Sequence, residues 1–204
     1  MQVPSLKTWE SGHLTTEDDL NTHVRDAMNF FKSPPFVLLT RGGSQPAIAS
    51  GSWHFIPWLG LPVSDNDGMF DNDDPEYITV RTPGLYALTA ALMFTPYGNP
   101  GVRGVSIDWI RSDNGTSLVI ARGGASCPNA DPYDNFLDWQ ADALPHACAI
   151  RTQAYQEAHP GDKFRVAGYH DAGSTSGAEP GPYANGPGHT QSFFMARWIA
   201  ALSD

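Results

Sequence analysis

Residues 65 to 74 read DNDGMFDNDD, with five aspartates and two asparagines in ten positions. Oxygen ligands at that density could hold a calcium ion, or two of the carboxyls could act as the acid and base of a glycoside hydrolase. The EF-hand template fails here. With Gly68 as the loop glycine, the first ligand position falls on Val63. A looser calcium site built on Asp65, Asp67 and Asp71, with Asp73 and Asp74 close by, stays open, because a divalent ion would relieve the repulsion among them. Hydrolysis needs two carboxyls in unlike environments, and one exposed turn offers no such contrast.

Other chemistry has weaker support. The seven histidines are scattered, with no HExxH spacing. Serine, histidine and aspartate all occur, but no G-x-S-x-G elbow does. RGGS at 41–44 and ARGGAS at 121–126 lack the lysine of a phosphate loop and read as turns. Cys127 and Cys148 form no CxxC or Cys/His metal pattern. They flank a polar excursion. A disulfide across it would contribute about 3 kcal/mol in the chain-entropy model, and two unpaired thiols are the alternative. Within that excursion PYDNFLDWQ places Tyr133, Phe136 and Trp139 among acids and amides. Such rings suit sugar or protein recognition, or simply anchor the loop. Tyr183, in a second long loop, is a weaker case of the same kind. The expectation is a chain that is not an enzyme and holds no cofactor, apart from the open calcium question.

Composition narrows the partners. Twelve Lys+Arg stand against twenty-two Asp+Glu, a formal charge of −10, which disfavours nucleic acid and anionic membrane. No apolar run approaches the ~18–20 residues of a membrane span. The opening MQVPSLKTWESG has no basic region followed by an apolar one, so no secretory signal is expected. An apolar fraction of 41% can fill a core across 204 residues.

The elements that would position these residues follow from periodicity. Thr16 can cap a helix, with Asp19 in the capping-box place and Glu17, Asp18 and Asp19 at its positive end. Leu20, Val24, Ala27, Met28 and Phe31 recur at helical spacing, and Pro34 and Pro35 stop the run. A helix over about 16–32 is predicted, its stripe available to its own domain or to copies of itself. From Phe36 the period becomes two. FVLLT, SWHFIPW, YITV, GLYALTAALMF, VSIDWI, SLVIA, CAIRTQAY, DKFRVAGYH and SFFMARWIAAL give eight to ten short strands. Trp53, Phe55 and Pro57 fall on one side of theirs, and Asn114-Gly115 marks a hairpin. Two stretches, 123–147 and 171–190, break the rhythm as long loops. The organisation is a segment at 1–35 followed by an all-β jelly-roll sandwich at 36–204.

Several of these motifs occur together in one family. GMFDNDDPEYITVRTPGLY, the Gly101-x-Arg103 pair, the Gly161-Asp162 turn and the SFFMARWIA strand resemble the C1q/TNF-like jelly roll of bacterial and phage proteins. The resemblance spans about 36–202, although His170 stands where glutamine is frequent and the 123–147 insertion is longer than the family's. It implies that Asp67-Gly68 opens a hairpin with Phe70 pointing inward and Asp71 to Asp74 in a solvated turn. It also implies a homotrimer, with Tyr86 and Trp198 as anchors of the core or of the threefold axis.

The N-terminus resembles the opening segment of minor tail proteins from phages of actinobacteria. The matching residues are Trp9, Gly12, Thr16, Leu20, Asn21, His23, Arg25 and Asp26, while Ala27 and Met28 replace the usual Asn and Leu. This implies a virion protein on the tail or capsid surface. Trp9, Leu20, Val24, Met28 and Phe31 would grip other virion proteins, and the jelly roll would meet a host-surface glycan or protein. The leading reading is a tail-associated or fibre-like protein. A capsid decoration or head-fibre protein is the alternative, and a glycan-degrading enzyme the remote one.

Overall fold

The computed structural model describes residues 3–4, 7–40, 48–59, 62–94, 101–127, 148–171 and 192–202. The N-terminal helix runs as α1 (Glu17–Leu20), a π-helical turn (Asn21–Arg25) and α2 (Asp26–Lys32). Its start is the capping box expected. The Thr16 hydroxyl accepts from the Asp19 amide, and the Asp19 carboxylate accepts from the Thr16 amide.

Among the described residues ten strands follow, β1 (Phe36–Thr40), β2 (Trp53–Phe55), β3 (Ser64–Asp65), β4 (Tyr77–Thr79), β5 (Gly84–Phe94), β6 (Gly101–Ile110), β7 (Ser117–Cys127), β8 (Cys148–Ala158), β9 (Lys163–His170) and β10 (Phe193–Ala200). They form two antiparallel sheets, β3-β1-β10-β5-β8 and β2-β9-β6-β7, with β4 added on β9. This is a jelly-roll sandwich.

The core lies between the sheets. Val37, Leu39, Tyr86, Leu88, Leu92, Phe94 and Phe194 from the first sheet meet Val105, Ile107, Phe164 and Val166 from the second, all fully or almost fully buried. Each of these sets alternates along its strand, as period two requires. Trp198 and Gly84 tie β10 to β5. A Cβ on Gly84 would stand 2.0 Å from the Trp198 Nε1, which itself donates to the Pro83 carbonyl at 3.0 Å.

Three local expectations change. The 123–147 stretch is not all loop, because β7 continues to Cys127. Gly123 allows this, since a Cβ there would meet the Arg151 carbonyl oxygen of β8 at 2.4 Å. In the acidic hairpin Met69 is the buried residue, and Phe70 only packs against the core from its rim. Its backbone bridges to Ile78, which fixes it at the edge. On the helix the inward residue is Phe30, not the stripe through Phe31. Only the last helical turn reaches the sandwich, and there Phe30 is the side chain that faces it.

Candidate functional site

The strands give the molecule two unlike poles. β1, β5, β7 and β9 all run toward one pole, and β6, β8 and β10 start from it. The connections 41–47, 95–100, 128–147 and 172–191 therefore all leave from that end. Tyr133, Phe136, Trp139 and Tyr183 lie outside the described residues, as do the side chains of Cys127 and Cys148. Cys127 closes β7 in one sheet, and Cys148 opens β8 in the other.

The helix joins at the opposite pole, beside the 66–76 turn, the 111–116 hairpin and the 159–162 turn. Its leading segment is hooked rather than loose. Gly12 turns with φ 87°, and the Trp9 ring meets His13 at 6.2 Å and His23 edge-on at 6.5 Å. The Lys7 ammonium lies 4.8 Å from the Trp9 ring centroid. The Asp19 carboxylate pairs with Lys7 and His13, and these bonds together with the Thr16 amide hold its pKa far below the ordinary carboxylate range. Trp9, Thr16 and His23 thus build the hook. Leu20, Val24, Met28 and Phe31 are exposed along the helix, Met28 and Phe31 by 66% and 70%. Phe31 also borders an apolar groove of about 480 Å³ with Val3, Pro34 and Ile199.

The acidic hairpin is a scaffold of turns. The Asp65 carboxylate accepts from the amides of Asp67, Met69 and Phe70 at 3.3, 3.0 and 2.9 Å, around Gly68 at φ 63°. Asp67 accepts from the Thr82 hydroxyl at 2.8 Å, Asp71 from the Asp73 amide at 3.0 Å, and Asp74 pairs with Lys163 at 2.6 Å. The carboxylates face different protein donors. Among the described residues no three His, Cys, Asp or Glu side chains converge on a metal-sized site.

Tyr86 and Trp198 both lie inside the sandwich, 0% and 7% exposed. The Tyr86 hydroxyl donates to the Thr82 carbonyl at 2.6 Å. Burial, with a contribution from the Asp67 charge, pushes its pKa well up. The other face of this sheet points outward. There the register aligns Leu38, Met195, Thr89 and Gln153 in one row, and Phe36, Arg197, Ala87 and Tyr155 in the next. Phe36, Leu38, Ala87, Thr89 and Met195 are half-buried, and Tyr155 is 67% exposed. This apolar outer face was not singled out from the sequence. Its signal is that FVLLT and SFFMARW are apolar in both phases, as strands covered on both sides are.

Two further clusters were also missed. The Asp162 carboxylate at the helix pole accepts from the His159 and Ser112 amides at 3.0 and 2.8 Å and from the Trp109 indole at 3.1 Å. Burial alone would raise its pKa, but these bonds outweigh it and hold the carboxyl below its ordinary value. At the loop pole Arg103 and His170 face each other across β6 and β9, 2% and 0% exposed. His170 Nε2 contacts the Ile48 carbonyl at 2.5 Å, and Arg103 Nη1 donates to the Val102 carbonyl at 3.3 Å. Arg103 Nε and His170 Nδ1 have no hydrogen-bond partner among the described residues. Burial lowers the Arg103 pKa, against a smaller opposing pull from the Asp171 carboxylate.

With this geometry in view, solved structures similar to it are informative about fold. The globular domain of zebrafish complement 1qA protein matches with a TM-score of 0.52 and 12% identity, over 82% of this chain and 99% of that one. Murine APRIL, crystallised at pH 8.0, matches with a TM-score of 0.52 and 13% identity, over 81% and 98%. The chain therefore has a C1q/TNF-like jelly roll, preceded by one helix. No protein-family model and no curated protein matches the sequence. Among the described residues no helix is long and apolar enough to cross a membrane.

Proposed function

We propose that the chain is a structural protein of a phage virion, tail-associated or fibre-like, that acts by binding and display rather than by catalysis. Its jelly rolls assemble as a homotrimer through the outer face of the β3-β1-β10-β5-β8 sheet. The N-terminal helix attaches the trimer to other virion proteins, and the loop pole meets the host surface. The observation that carries this reading is the polarity of the fold. The two longest connections, 128–147 and 172–191, leave one pole, while an exposed apolar helix face leaves the other. A module that is anchored at one end and reads a surface with the other needs that arrangement. The N-terminal resemblance supplies the phage context.

Immunogold electron microscopy of virions, with antibody to this chain, tests the assignment. Label at the tail supports it. Label over the head replaces it with the capsid-decoration reading, in which the helix grips the shell. Particles without label remove the virion assignment altogether.

A further inference from the structure

The outer face of the other sheet carries an aromatic platform. Trp53 on β2 stands opposite Tyr169 on β9, with ring centroids 5.3 Å apart and planes at 35°. The indole reaches over β6. A Cβ on Gly104 would come within 3.0 Å of its Cη2 and within 3.5 Å of the Tyr169 Cβ. Glycine at 104 thus lets the ring lie down on the sheet, and any side chain would lift it. Trp53 remains 38% exposed.

One cation lies over this ring. The Arg122 guanidinium on β7 sits 5.1 Å from the Trp53 centroid and has no hydrogen-bond or ion-pair partner among the described residues. Its neighbours on the same face are engaged. Arg165 binds Asp108, Tyr77 and Ser117 at 3.4, 3.3 and 3.3 Å, and Lys163 binds Asp74 at 2.6 Å. Arg165 also lies 3.4 Å from the Phe55 centroid, which fixes the lower half of the face as packing. The upper half, Trp53, Tyr169 and Arg122, pairs a partly exposed ring with a guanidinium over it that has no hydrogen-bond or ion-pair partner among the described residues.

We infer that Trp53, Tyr169 and Arg122 form a saccharide-binding platform for a sugar ring that bears a carboxylate. The apolar C–H face of a pyranose stacks on the electron-rich indole face. The guanidinium matches a carboxylate with two parallel N–H donors. The net charge of −10 repels dense polyanions, so the site suits a short, sparsely charged glycan. The platform lies on described strands and stands apart from the trimer face. It holds whether or not the chain belongs to a virion.

The test is calorimetric titration of the whole chain with a hyaluronan tetrasaccharide and with the same tetrasaccharide after its carboxyls are reduced to alcohols. The acidic form is expected to bind about tenfold more tightly than the reduced one. Trp53→Ala should weaken both by about tenfold or more. Arg122→Gln, at an exposed position that leaves the core untouched, should erase the preference and keep the binding of the reduced form. Absence of binding to either form by the unaltered chain overturns the proposal. So does equal affinity for the two, or a preference that survives Arg122→Gln. The last two outcomes decide the matter even if Trp53→Ala fails to fold.

Discussion

Phe30 stands edge-on to Trp198, with ring centroids 4.8 Å apart and planes at 89°. This contact joins the helix to the sandwich, since Phe30 is the buried residue of α2 and Trp198 fixes the β10–β5 edge through Pro83. The adjacent Phe31 points away and is exposed. Phe30→Ala should therefore destabilise the chain by about 3 kcal/mol. Phe31→Ala should stay within about 0.5 kcal/mol. Urea denaturation of the two variants makes the comparison. Equal effects would mean that the helix is seated differently.

The Asp162 clasp gives a pH dependence. Its folded pKa lies below the ordinary value of 3.8. The unfolded chain thus takes up the proton first as pH falls. The stabilisation is complete above that ordinary value and is lost as pH drops through the lower folded pKa. Asp162→Ala leaves three donors unpaired and should cost about 3 kcal/mol near neutral pH. Denaturation midpoints across the acid range should show a shallower acid loss in the variant than in the unaltered chain.

Arg103 predicts the opposite sign. It is a buried cation that, among the described residues, has an unpartnered Nε and only a long bond from Nη1. Replacing such a group with an apolar one of similar volume removes a desolvation cost. Arg103→Met should raise stability by about 1–2 kcal/mol, read as a higher thermal midpoint. A fall of that size would mean that the guanidinium has a strong partner.

The fold was largely legible in the sequence because its signals are local. Thr16 and Asp19 announce the helix start, and the large-small alternation of Tyr86 to Phe94 announces a strand with one buried face. The site was less legible because its residues meet only across strands. Trp53 shares a strand with Phe55, but nothing local brings Gly104 and Arg122 beneath and beside it. Trp198 and Tyr86 were legible as anchors, whereas whether they face the core or an axis depends on which sheet covers them. The helix contact was not legible either, because Ala27, Met28 and Phe31 share a face and Phe30, one residue off it, is the side chain that meets Trp198.

The trimer is the central claim, and sedimentation equilibrium of the purified chain tests it most directly. The account predicts a mass three times the 22.1 kDa of one chain. It also predicts that Met195→Glu, in the middle of the apolar outer row, reduces that mass to one chain while the far-ultraviolet spectrum stays β-rich. A mass of 22.1 kDa for the unaltered chain, across micromolar concentrations, would contradict it.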